Sequence, residues 1–232
     1  MIRTIKAFTL AEVLITLVII GVIASMTVPN LIMRTKQEQY ITGCKKIYST
    51  LAQAVLLAEK DYGSMKTWEL EDTGEGKNTA FVKQYILPYL ITAKDCGTTF
   101  QDNCPFQYKA LNAQNHSYWA NGWHKIILND GSTAIFNHGE ENQNSEWMIV
   151  TVDVNGDRKP NVISKDIFTF VYWIQTPNKP RWGKFEPYGV DWPRESLISN
   201  EGGNACNKQS TGELCAALIV KDSWQMLDDY PI

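Results

Sequence analysis

Residues 8–28 read FTLAEVLITLVIIGVIASMTV, twenty-one positions with a single charge, Glu12. At about 1.5 Å per residue, a helix of that length spans roughly 30 Å, the hydrocarbon thickness of a bilayer. A carboxylate in such a segment costs on the order of 3 kcal/mol at the centre and less towards an end, which argues that Glu12 has a partner. Ahead of the run, Met1 to Ala7 is short and basic, with Arg3 and Lys6. Behind it, past Pro29, apolar residues recur at helical steps: Tyr40, Cys44, Ile47, Leu51, Val55, Ala58 and Tyr62. Lys36, Glu38, Lys45, Lys46, Gln53 and Lys60 take the opposite face, and Gly63 is a stop signal. One helix from Phe8 to Tyr62 would be roughly 80 Å long. Its first half would lie in lipid or in a filament core, and its second half would lay an apolar stripe on a globular head. Pro29 removes a backbone hydrogen bond and should kink or loosen the helix, and Gly21 weakens it.

The stretch Ala7-Phe8-Thr9-Leu10-Ala11-Glu12 resembles the processing site of type IV pilins and of the pseudopilins of type II secretion. The family has a short basic leader, a small residue at the cut, then Phe-Thr-Leu-x-Glu and an apolar run. Glycine is usual before the cut, and Ala7 departs from it while staying small. Gly21 and Pro29 fall at the family's spacings. The resemblance implies an α+β fold, a long N-terminal helix packed on a C-terminal antiparallel sheet. It divides the chain into a cytoplasmic leader (1–7), a transmembrane or filament-core helix (8–29) and an extracytoplasmic head (30–232).

It also implies a mechanism. Prepilin peptidase would cut between Ala7 and Phe8 and methylate the new amine. Glu12 would neutralise that amine on an adjacent subunit, with Gly21 and Pro29 shaping the assembling helix. The expected partners are other pilin or pseudopilin subunits, the peptidase, an inner-membrane assembly platform and the lipid itself. The chain would sit in the inner membrane as a single pass, head in the periplasm or outside the cell, and then enter a filament. Two alternatives stay open. One is a minor tip subunit whose head binds DNA, a secreted protein or a surface. The other is a membrane-anchored binding domain or enzyme. A cleaved signal peptide would end in a small-x-small site after the apolar core, for which Ala24-Ser25-Met26 is a weak candidate, and would not carry Glu12.

The rest of the chain reads as one body of about 200 residues, enough for a real core. With 22 basic and 25 acidic residues the whole chain is mildly acidic, which argues against a surface dominated by phosphate contacts. The eight tryptophans are scattered rather than arrayed as a stacking platform. Residues 79–87 show a short helical pattern ending near Pro88. Strand signals follow at 125–128 and 133–136 around Asn129-Asp130-Gly131-Ser132, then at 147–154 and 167–174. Residues 176–192, rich in proline and glycine, read as a surface loop, and 216–220 and 224–227 as short final strands.

Five cysteines are present, and none has zinc-knuckle spacing. Two local disulfides, Cys96–Cys104 and Cys206–Cys215, are the simplest reading, with Cys44 a small buried hydrophobe on the stripe. Disulfides require an oxidising compartment. Asp153, Asn155 and Asp157 alternate as in a calcium loop, with Asp166 further on. Calcium is therefore the one ion the sequence suggests, and no other cofactor is expected. The stretch resembles the start of a dockerin repeat, and also an Asp-x-Asn-Gly…Pro-Asn…Asp-x-Phe pattern of many pilin-like proteins. It departs from a calcium loop at Arg158, where the turn glycine should be, and at Ser164, where the last carboxylate should be. The competing reading is a polar turn between strands. No nucleophile motif, phosphate-binding loop or helical histidine pair is present, so no enzyme is expected.

Overall fold

A computed structural model describes residues 9–71, 76–98, 104, 108–113, 115–116, 122–142, 145–177, 180–199 and 202–231. The chain forms two compact units, Met1–Gln39 and Tyr40–Ile232. Helix α1 (Leu10–Tyr62) begins in the first and ends in the second, and it is helical through both Gly21 and Pro29.

In the first unit the few polar side chains of the apolar run bond to their own helix. Thr16 Oγ1 donates to the Val13 carbonyl (2.9 Å), Ser25 Oγ to Val22 (2.7 Å) and Thr27 Oγ1 to Ile23 (3.0 Å). This is what lets hydroxyls enter a segment with no water to serve them.

The second unit is an α+β body. After α1 come a 3-10 turn (Met65–Thr67), α2 (Lys77–Phe81), a π-helical turn (Val82–Ile86) and a second 3-10 turn (Leu87–Tyr89). The strands are β1 (Thr92–Gly97), β2 (Tyr108–Lys109), β3 (Asn115–His116), β4 (His124–Leu128), β5 (Thr133–Asn142), β6 (Ser145–Asp153), β7 (Ile167–Gln175) and β8 (Phe185–Pro187). Helices α3 (Arg194–Ser199) and α4 (Cys215–Lys221) close the chain. The main sheet is antiparallel throughout in the order β1-β4-β5-β6-β7-β8, and β2 and β3 form a separate two-stranded sheet.

The core follows from two periods meeting. On α1, Cys44, Ile47, Leu51, Ala54, Val55 and Ala58 are buried at helical spacing. On the sheet, alternate residues such as Ala134, Phe136, Met148, Val150, Phe168 and Phe170 face the same cluster. Gly43 sits where helix and loop approach closely: a Cβ there would lie 2.8 Å from Val154 Cγ2. The opposite face carries a smaller cluster of Cys96, Cys104, Tyr108, Ile135, Ile163 and Ile167.

Three sequence expectations are corrected. Residues 216–220 form helix α4, not a strand. Ala216, Ala217 and Leu218 are strong helix formers, and Cys215 to Ile219 are buried on every side, which erases the polar alternation that tells the two apart. Residues 224–227 form no strand, because Ser223 and Trp224 take positive φ (58° and 63°) and the Trp224 N–H turns back to the Ile219 carbonyl. The loop expected at 176–192 holds the three-residue β8 on the edge beyond β7, and β1, with register shifts along its pairing to β4, carries no strand signal in the sequence. Both are set by tertiary pairing, which local pattern does not encode.

Candidate functional site

At the amino end, Thr9 and Glu12 form a reciprocal capping box. Glu12 Oε2 accepts from the Thr9 N–H and Thr9 Oγ1, both at 2.9 Å, and Thr9 Oγ1 accepts from the Glu12 N–H at 3.2 Å. The carboxylate is thereby held at the first turn of α1. The processing residues Ala7 and Phe8 lie outside the described residues. From Leu10 to Met33 the large apolar side chains are 44–80% exposed. At Gly21 an added Cβ would meet nothing within 4 Å. So long an apolar surface marks a contact with lipid or another chain. The helix is long and apolar enough to cross a membrane.

In the head, both expected disulfides are present, Cys96–Cys104 and Cys206–Cys215, and Cys44 is free and buried. Burial pushes the Cys44 thiol well up, which keeps it inert. The second bridge ties the loop after α3 to the start of α4. In the loop-entropy model, closing so short a loop stabilises by roughly 2.7 kcal/mol.

The loop between β6 and β7 brings Asp153, Asn155 and Asp166 together and leaves Asp157 exposed. Asp166 is the hub. Its Oδ1 accepts from the Val162 N–H and its Oδ2 from the Asn161 N–H, each at 2.9 Å, and Oδ2 also takes Asn155 Nδ2 at 3.1 Å. Asp153 Oδ1 accepts from the Asn155 N–H at 3.0 Å. The Oδ1 atoms of Asn155 and Asn161 are buried without a hydrogen-bond partner. Burial, then the neighbouring Asp166 carboxylate, pushes Asp153 up to about 8, and burial raises Asp166 as well.

A stability prediction follows. A carboxyl raised in the folded state holds a proton that the unfolded chain, titrating near about 4, has already lost. The native head therefore loses this contribution as pH rises from about 4 through about 8. Asp153→Asn keeps the acceptor for Asn155 and removes the titration. Its melting temperature relative to the native chain should climb steadily between those pH values. A constant difference would contradict the pairing.

Sequence reasoning missed a second cluster. His138 and Glu140 on β5 and Glu146 on β6 are, among the described residues, the one trio of His, Cys, Asp or Glu whose ligand atoms lie within 4.8 Å of one another. The signal was the i, i+2 spacing of His138 and Glu140, but their meeting with Glu146 depends on strand register. His124, by contrast, is a core residue held by Thr79 Oγ1 (3.1 Å) and Asp95 (2.8 Å).

Residues 30–232 match the model of a family of unknown function, DUF6613. The chain belongs to that family. Residues 2–28 match the prokaryotic N-terminal methylation motif, the signature of type IV pilins and pseudopilins. The two matches meet at Val28 and Asn30, on either side of Pro29. No curated protein and no solved structure matches the chain. The fold agrees with the pilin-like layout: a long apolar N-terminal helix followed by an antiparallel sheet, with two disulfides in the head.

Proposed function

We propose that this chain is a structural subunit of a type IV pilus-like or type II secretion pseudopilus filament. In this reading it is cut between Ala7 and Phe8, methylated, and assembled through α1. The observation that carries it is the methylation motif over residues 2–28 joined to an apolar helix surface with nothing over it. The precursor waits in the inner membrane with its leader in the cytoplasm and its head outside. Cleavage creates a cationic amine at Phe8. Glu12 of an adjoining subunit neutralises it, which fixes the axial register, because a charge left alone in an apolar bundle costs several kcal/mol. The apolar residues of α1 then exchange lipid for neighbouring helices. The expected partners are like subunits, the peptidase and the inner-membrane assembly platform.

The test is fractionation. Shearing or gentle extraction should release the chain together with other filament subunits. Finding it wholly in the membrane, in cells whose filaments are assembled, would overturn the reading. Calcium belongs to this reading as the cation that would replace the proton Asp153 holds near the Asp166 carboxylate. Millimolar calcium should then raise the melting temperature of the native chain at pH about 8 and leave Asp153→Asn unmoved. No shift in the native chain would remove the ion from the account.

A further inference from the structure

Near the turn that joins β5 to β6, three metal-ligating side chains converge that no part of the filament account uses. We propose that His138, Glu140 and Glu146 form a zinc site on the head. The register builds it. His138 and Glu140 are two apart on β5 and so share a face, and Glu140 lies directly opposite Glu146 on β6. One ligand atom from each residue falls within 4.8 Å of the others.

Three features favour an ion over a chance cluster. The first is spacing. His138 Nε2 and Glu146 Oε2 are 3.4 Å apart. Two ligand atoms bound tetrahedrally to one zinc, each about 2.05 Å from it, are themselves about 3.4 Å apart. The second is a ligand atom not spent on a hydrogen bond. His138 Nε2 is buried and hydrogen-bonds nothing, with Glu146 Oε2 at ion-pair distance only. The third is orientation. Glu146 has a nearly buried side chain and accepts Lys77 Nζ on Oε1 at 2.7 Å, which turns Oε2 towards His138. Outer partners of this kind fix metal-binding carboxylates. Two glutamates facing each other across a strand pair also repel, and Lys77 compensates only one of them.

The donor set points to a transition metal, with zinc as the redox-inert member. An imidazole nitrogen with carboxylates suits zinc, whereas calcium and magnesium take oxygen shells. Three protein ligands leave a fourth position for water or for a donor from another molecule, and the exposure of Glu140 puts that position at the surface.

The experiment uses the full chain in detergent, without a polyhistidine tag, stripped with chelator and titrated with zinc chloride by calorimetry near neutral pH. The native chain should bind one equivalent at micromolar concentration, and millimolar calcium should not displace it. His138→Ala and Glu146→Gln should each weaken binding by about tenfold or more, on the scale seen for lost metal-site contacts. Glu140→Gln, at an exposed position where the fold has little to lose, should weaken it severalfold. If His138→Ala and Glu146→Gln are unfolded by circular dichroism, Glu140→Gln decides alone. No zinc uptake by the native chain, wild-type affinity in His138→Ala, or unchanged affinity in Glu140→Gln would overturn the proposal.

Discussion

Glu12→Ala should lower the filament-associated share of this chain by at least tenfold while leaving the amount in the membrane unchanged. Insertion is not at risk, because the change removes a charge from an apolar segment and so favours the bilayer by up to about 3 kcal/mol. Assembly is at risk, because the Phe8 amine loses its carboxylate inside a helix bundle. A penalty of several kcal/mol exceeds the roughly 1.4 kcal/mol that corresponds to a factor of ten. The variant also loses the Thr9–Glu12 capping box, worth about 1 kcal/mol to the first turn. Glu12→Gln separates the two effects, since glutamine can still cap but carries no charge. On the charge account Gln behaves as Ala. If Gln restores incorporation, the capping box and not the ion pair sets assembly. Equal incorporation of native and Ala chains excludes a repeated body subunit and leaves a tip subunit, which has no neighbour beyond it to pair with.

The second large effect concerns the head. Trp68→Ala should destabilise it by about 3–5 kcal/mol, the range for deleting a large buried aromatic. Trp68 is 2% exposed and stacks on Tyr85 with ring centroids 4.3 Å apart and planes 3° from parallel. Its Nε1 donates to the Gly63 carbonyl at 2.8 Å, which secures the chain as it leaves α1. Trp68→Phe keeps most of the packing and loses that bond, so it should cost about 1–2 kcal/mol. Denaturant midpoints of the three chains in the same detergent check the order. A Trp68→Ala midpoint equal to the native one would mean that α1 and the π-helical turn are not held together by this residue.

What the sequence made legible were the features with a long period or a fixed local chemistry. The α1 stripe repeats over six helical turns; the structure adds Ala54 to its buried face and leaves the two end members out of it, Tyr40 half-buried and Tyr62 exposed. The β4–β5 hairpin announces itself by Asn129-Asp130-Gly131-Ser132, where Asp130 Oδ1 accepts from the Ser132 N–H. The cysteine pairs close short loops, so spacing alone favoured them. Helix α4 was read as a strand because an element buried all round has no polar face to mark its period. Strands β1 and β8 were missed because they exist through their partners, β4 and β7. Asp166 was read as a misplaced ligand, yet it gathers the loop by accepting three donors. The His138 trio was invisible for the same reason as β1: which residues of β5 and β6 meet is a fact of register.

The most direct test of the filament account is intact-mass and N-terminal peptide analysis of the chain extracted from native membranes. The account predicts a mature chain lacking Met1 to Ala7 and beginning at an N-methylated Phe8. A chain that retains Met1, or one that begins after Ser25 or Met26, would contradict it.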